Sequence, residues 1–287
     1  NVWEDVVFRN MYITGGIGSA GSNEGFSNDY DLPNEQAYCE TCASVGMVFW
    51  NQRMNSLTGN AEYIDVLERS LYNGALDGLS LSGDRFFYGN PLASNGKHAR
   101  REWFGTACCP ANIARLIASL GNYIYGYKDH KIYVNLFIGS QTSFMLTKGE
   151  MQFTMNTNYP LVDNVQCTLN MTKKMNATIA LRLPGWANGT VAPGGLYSFV
   201  ETNITKPTLL INGMSVPYQI EDGYVMVNHD WKDNDKIEYQ LPMNIQKVVS
   251  RNELKLNNDR VAFQRGPLVY CIEGADIVVE ASRLTKP

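Results

Sequence analysis

Charge is scarce in this chain. Only 18% of its 287 residues are Asp, Glu, Lys or Arg, the net charge is -4, and histidine occurs three times. Without a concentrated basic face the chain lacks what a nucleic-acid or anionic-membrane partner requires, so a small neutral or polar ligand is the expected partner. Long apolar runs are missing as well. None approaches the ~20 residues that cross a bilayer. The opening NVWEDVVFRN has neither the basic nor the apolar region of a secretory signal. It also lacks an initiator Met, so the chain is expected to begin inside a longer protein, and localisation stays open. What is present is apolar material, 44% of residues, enough for a large core.

Cysteine is too sparse for a disulfide scaffold: six residues, at 39, 42, 108, 109, 167 and 271. Four of them nevertheless form two tight pairs. Vicinal Cys108 and Cys109 cannot bridge each other without strain in the peptide between them, which favours metal binding or catalysis.

Residues 1–127 read as helices joined by glycine-rich loops. In PANIARLIASLGNYIYGY the residues Ile113, Leu116, Ile117, Leu120 and Ile124 recur at helical spacing behind Pro110 in the first turn. Gln36–Met54 and Ala61–Leu79 are expected as two further packed helices, the second with Ile64, Leu67, Leu71 and Ala75 on one stripe. So few helices cannot close a barrel alone, so more are expected before residue 1. From about Lys131 the period changes to two, in KIYVNLFI, VQCTLNMT, ATIALRLP, GYVMVN, KIEYQL and RVAFQRGPLVYCIE, and Asn212-Gly213 is a type I′ hairpin signal. Residues 128–287 are therefore expected to form a mostly antiparallel β-sandwich.

The loop Gly15–Glu35 contains the carboxylates Glu24, Asp29, Asp31 and Glu35. A carboxyl group in a partly desolvated cleft is the usual acid for protonating a leaving oxygen, and position alone does not select among the four. The GGIG at its start has no Walker lysine, so its glycines are assigned to turns rather than to a phosphate. Tyr38-Cys39-Glu40-Thr41-Cys42 joins Cys108-Cys109 in offering ligands for tetrahedral zinc. Two sets of four can be drawn: all cysteines, with Cys39, or Glu40 in place of Cys39. Because residues i and i+3 share a helical face, spacing favours the set with Cys39. Cys108 and Cys109 open the clearest helix, where the macrodipole favours a thiolate. Four protein ligands leave no place for an activated water, so any chemistry here must use a ligand thiolate itself. Asp84–Tyr88 and Trp103-Phe104 are aromatic clusters for stacking or core packing, and His98, His130 and His229 stand alone.

The runs YITGGIGS, NEGF, DYDLPN, AYCETCA, NQRM, ERSLYNGALDG, DRFFYGNPL, WFGTACCPANIARLIASLG and IYVNLFIGS resemble the family 127 glycoside hydrolases. The resemblance is dense from Tyr12 to Ser140 and implies a multidomain α + β protein: the C-terminal part of an (α/α)6 barrel, then an antiparallel β-sandwich. It implies a retaining β-L-arabinofuranosidase acting on an arabinose-containing oligosaccharide or glycan. It further implies zinc held by Glu40, Cys42, Cys108 and Cys109, with Cys108 as nucleophile forming a thioglycosyl intermediate, Glu24 as acid/base and Tyr88, beside the nucleophile, as a substrate-binding residue. Cys39 then becomes a core residue. Thr106 departs from those relatives that carry a further cysteine there, and the histidines that line the family's sugar pocket are expected from an N-terminal half before residue 1. A homodimer is compatible with this reading. The reading from another class is a non-catalytic carbohydrate-binding or assembly protein with a structural zinc.

Overall fold

The computed structural model describes residues 1–201 and 205–272. The last residue of the run 260–273 and the tail of segment 128–287 lie outside the described residues.

The N-terminal part holds helices α1 (Val2–Arg9), α2 (Thr41–Thr58), α3 (Glu62–Ser70), α4 (Cys108–Ser119) and the short α5 (Gly121–Ile124). Asn1 caps α1 by accepting from the Trp3 amide, and Glu4 completes the capping box. The helix expected from Gln36 begins only at Thr41, because Cys39 has φ 36° and Glu40 has ψ 136°. The helix expected over 61–79 is regular only to Ser70. It then widens into a π turn at Leu71–Ala75 and tightens at Leu76–Gly78. The anticipated stripe is still the buried one: Ile64, Leu67, Leu71 and Ala75 pack with Val45 and Val48 of α2 and Ile113 and Leu116 of α4. That contact sets α2 beside α4, and so fixes the first turns of the two helices relative to each other.

Strand structure starts at Tyr125–Lys128, already inside the segment read as helical. One sheet runs in the order Tyr125–Lys128, Lys131–Val134, Met175–Arg182, Tyr224–Trp231, Gln219–Glu221, and a second in the order Ser140–Leu146, Gly149–Thr157, Asn164–Met171, Asp235–Gln240, Thr208–Ile211, Met214–Ser215. Pairing is antiparallel except between Lys131–Val134 and Met175–Arg182. Their alternating inward residues, such as Val134, Ile179 and Val225 from the first and Phe153, Val165 and Ile237 from the second, share one apolar core. Asn212 and Gly213 adopt φ 52° and 77°, as a type I′ turn demands.

The run RVAFQRGPLVYCIE is not one strand but a hairpin, Ala262–Arg265 against Leu268–Tyr270. It belongs to a third sheet with Ile245–Ser250 and Tyr197–Phe199. This sheet is what steadies the long N-terminal loop. Tyr12, Ile13, Leu32 and Cys39 from the loop and its flanks pack with Val191, Leu196, Tyr197 and Val248. Buried Arg69 donates to the Ile13 carbonyl at 2.6 Å, to the Val191 carbonyl, and to Gln264 Oε1 at 3.0 Å. Among the described residues, no helix is long and apolar enough to cross a membrane. The molecule is thus a mixed α/β structure with several sheets.

Candidate metal centre and active site

Glu40 is the residue before α2 and Cys42 lies in its first turn; Cys108 and Cys109 open α4. Side-by-side packing of the two helices therefore brings the two motifs together, with their four ligand atoms all within 4.8 Å of one another. Cys42 and Cys109 sulfurs are 3.4 Å apart, and those of Cys108 and Cys109 are 3.8 Å apart. Glu40 Oε1 faces Cys108 at 3.4 Å and Cys109 at 3.7 Å. A tetrahedral zinc ion bonded to sulfur at ~2.3 Å separates its sulfur ligands by ~3.8 Å. The spacing and the donor set, three sulfurs and one carboxylate oxygen, thus fit such an ion, and the cluster can hold a metal.

Cys39 is not part of it. Its left-handed backbone turns the side chain off the helical face that Cys42 uses, and the sulfur ends in the core at 1% exposure, beside Gly16. Burial pushes its thiol well up, so it stays protonated. The helical-face preference for Cys39 is therefore corrected: residues i and i+3 align only where both are helical.

Within the cluster, a hydrogen bond from Cys109, against the opposing effect of burial, and another from Asn112 bring the Cys42 thiol down to about 7. The Cys109 thiol is pushed well up, first by its bond to Cys42 and then by burial, and burial also raises Cys108. Burial and crowding thus work against the dipole argument at the pair that opens α4. Crowding explains this departure from the dipole argument, because neighbouring thiols and a carboxylate cannot all ionise in so small a volume. A divalent cation reverses that balance for every thiol it touches.

Of the four loop carboxylates, Glu24 is the one tied to the cluster. It sits in the tight turn between Ala20 and Gly25, whose amides and carbonyls bond each other at 3.1 Å, and Asn23 Oδ1 accepts from Gly25 N at 3.1 Å. Its carboxyl meets the Tyr38 hydroxyl. Asp29 is instead paired with Arg9 at 3.2 Å, and Glu35 is exposed. Tyr88 lies against Cys108 and Tyr38. A bond with Tyr38 lowers the Tyr88 hydroxyl, but burial, Cys108 and Glu40 together carry it up to about 12. Phe104 meets the Tyr88 ring edge-on, at 5.7 Å between centroids, and Trp103 stands beside Phe86, so these aromatics gather near the cluster. No histidine belongs to the four-residue group: His98 stacks on Phe87 and bonds the Gly89 carbonyl, His130 lies in an exposed turn, and His229 packs on Trp231.

Two contacts escaped the sequence reading. Asn112 Nδ2 donates to the Cys42 sulfur at 3.1 Å, and the Tyr38 hydroxyl donates to Glu40 Oε2 at 3.3 Å. Asn112 was findable, since it lies one helical turn beyond Cys108. Tyr38 carries no such signal, because its direction depends on the irregular backbone before α2.

Comparison with known proteins gives a consistent result along the chain. Residues 1–122 match the profile described as beta-L-arabinofuranosidase, GH127 catalytic domain, residues 131–243 the GH127 middle domain, and residues 245–286 the glycoside hydrolase family 127 C-terminal domain. A non-reducing end beta-L-arabinofuranosidase from Bifidobacterium longum subsp. longum is 36% identical over 96% of this chain and 41% of its own length. Among solved structures, a GH127 beta-arabinofuranosidase is similar at TM-score 0.92 and 42% identity, covering 96% of this chain and 43% of that one. A GH127 beta-L-arabinofuranosidase from Geobacillus stearothermophilus T6 is similar at TM-score 0.85 and 37% identity, covering 95% and 42%. The chain thus spans about two fifths of the length of these relatives, and the three consecutive domain matches cover it nearly end to end: it belongs to glycoside hydrolase family 127.

Proposed function

We propose that this chain is part of a retaining glycoside hydrolase that removes β-L-arabinofuranosyl groups from an arabinose-containing oligosaccharide or glycan, with Cys108 as nucleophile and Glu24 as acid/base. The observation that carries this reading is the Cys108 sulfur placed among Glu40, Cys109 and Tyr88, with Glu24 joined to the same group of side chains through Tyr38. The family relationship supports the substrate class.

The residues divide the work as follows. Glu40, Cys42, Cys108 and Cys109 would hold zinc, which when bound would keep Cys108 ionised near neutral pH. The Cys108 sulfur attacks the anomeric carbon while Glu24 gives its proton to the departing glycosidic oxygen, so the C–O bond breaks as a C–S bond forms. Glu24, now a carboxylate, takes a proton from water. The oxygen of that water bonds the same carbon and Cys108 leaves as thiolate, so two inversions give retention. One carboxyl group suffices because sulfur is the nucleophile. Tyr88 orients the Cys108 sulfur. We place α1–α5 in the C-terminal part of an (α/α)6 barrel spanning residues 1–127, and the sheets of residues 128–287 in β-sandwich domains. The chain's two-fifths span of its relatives supports that placement.

The test is hydrolysis of an aryl β-L-arabinofuranoside by the enzyme expressed from its complete reading frame. Cys108→Ser and Glu24→Gln are each expected to abolish turnover with the fold kept, and retained turnover in either sinks the assignment. A structural zinc in a non-catalytic sugar-binding protein is the other reading favoured by a specific observation, the closed set of four ligands. Stoichiometric zinc and sugar binding, with no furanoside turned over, would establish it.

A further inference from the structure

Glu24 and the metal-ligand cluster lie on separate segments, the turn 20–25 and the start of α2, and one side chain touches both. The Tyr38 hydroxyl donates to Glu40 Oε2 at 3.3 Å and stands near the Glu24 carboxyl and the Tyr88 hydroxyl, with the Tyr38 and Tyr88 ring centroids 6.2 Å apart. Its ring is held by the loop that carries Glu24. A Cβ added to Gly18 would stand 3.7 Å from one ring edge, and one added to Gly21 would stand 3.5 Å from the other. The backbone beside it is fixed too: the Cys39 amide donates to the Gly18 carbonyl at 2.9 Å, and the Asn90 amide donates to the Tyr38 carbonyl at 3.3 Å.

The two oxygens of Glu40 therefore have separate tasks. Oε1 faces the Cys108 and Cys109 sulfurs and Oε2 faces Tyr38. A ligand carboxylate whose outer oxygen is held by a donor is fixed in its orientation toward the metal. On the other side, a carboxyl group in a turn with φ 50° at its own residue is aimed by whatever its oxygens touch.

We propose that Tyr38 is a positioning residue: its hydroxyl ties the acid/base Glu24 to the outer oxygen of the metal ligand Glu40, and its ring, seated on Gly18 and Gly21, sets the turn 20–25 at a fixed distance from the cluster. This rests on the functional reading given above. A single O–H serves both contacts. When Glu24 carries its proton, it donates to the Tyr38 oxygen while Tyr38 donates to Glu40. When Glu24 is ionised, Tyr38 turns its proton toward it. The two ends of the site are thereby linked without direct contact.

The experiment uses Tyr38→Phe, which keeps the ring packing and removes only the hydroxyl, in the complete enzyme. Two quantities are read. The first is kcat/KM, which reports the step in which the leaving group departs, on β-L-arabinofuranosides with an alkyl leaving group, which needs a proton, and with a strongly acidic aryl leaving group, which does not. The second is zinc affinity in competition with a chromophoric chelator. Loss of an outer hydrogen bond to a ligand set typically costs about 10–100-fold in metal affinity or activity. The expectation is a loss of that order in kcat/KM for the alkyl substrate, less than about threefold in kcat/KM for the activated one, and zinc affinity weakened about tenfold. Equal losses on both substrates, or unchanged zinc affinity, would overturn the proposal. Glu24→Gln separates the two levels: if it keeps full alkyl-substrate turnover, the functional reading fails. If it loses that turnover while Tyr38→Phe shows no leaving-group preference, only the role of Tyr38 fails.

Discussion

The Arg182 guanidinium, on an inner strand of the first sheet, bonds the Glu68 carboxylate of α3 with both side chains buried. The same guanidinium donates to Asp65 Oδ1 at 2.6 Å and, through Nε, to the Asn135 carbonyl at 2.7 Å, while Tyr159 donates to Glu68 at 2.6 Å. This ionic group joins the helical part to the sheets. Breaking a buried pair by removing one partner costs about 3–5 kcal/mol. Arg182→Met strands two carboxylates and is expected to lose that much in urea unfolding, whereas an exposed pair such as Arg85–Glu102, lost in Arg85→Gln, should cost under about 1 kcal/mol.

Asp65 gives the same group a pH signature. Burial, opposed by Arg182, pushes its carboxyl up to about 6. A carboxyl whose folded pKa lies above its unfolded value binds more protons in the native state between the two values. The cost of ionising it is then absent below about pH 4, grows through pH 6 and is complete above. The stability of the wild type minus that of Asp65→Asn should therefore fall from pH 4 to pH 6 and level off near pH 7. A difference that rises across that window would show Arg182 outweighing burial.

Zinc occupancy should follow the cluster as the fold draws it and not as helical spacing draws it. Cys42→Ala and Cys109→Ala are expected to abolish stoichiometric zinc by elemental analysis, and Cys39→Ala to retain it. Chelation should open Cys42 and Cys108 to alkylation by iodoacetamide, with mass spectrometry identifying the sites, while Cys39 and Cys167 stay protected at 1% exposure.

The GGIG stretch serves close approach. At φ 80°, a Cβ on Gly15 would come within 2.7 Å of the Ser70 amide nitrogen, and the Ser70 hydroxyl donates to the Gly15 carbonyl at 2.9 Å. Gly15→Ala combines a backbone clash with a left-handed conformation and is expected to destabilise by about 3 kcal/mol, readable as a lower unfolding midpoint.

Periodicity located most elements here because each buries one face. The stripe Ile64, Leu67, Leu71 and Ala75 and the alternation in KIEYQL both arise from partition of apolar side chains out of water, which a local sequence records. Boundaries failed where backbone conformation changed without a change of pattern. Cys39 and Glu40 read as helix, and Arg265-Gly266-Pro267 read as mid-strand. At the candidate site, local spacing favoured Cys39, which the fold buries away from the cluster, and only the resemblance carried by CETC and ACCP pointed to Glu40, which the fold places within it.

By itself, then, the sequence determined that this chain switches from helices to strands, that its cysteines are not a disulfide scaffold, and that two cysteine motifs await a common partner. These follow from composition and from patterns within a few residues. The tertiary structure decided which four side chains meet. The packing of α2 on α4 joins positions 40–42 to 108–109, a left-handed Cys39 swings its sulfur into the core, and the third sheet packs against the residues that flank the Glu24 loop. Such encounters depend on contacts between segments far apart in the chain, and no local period encodes them.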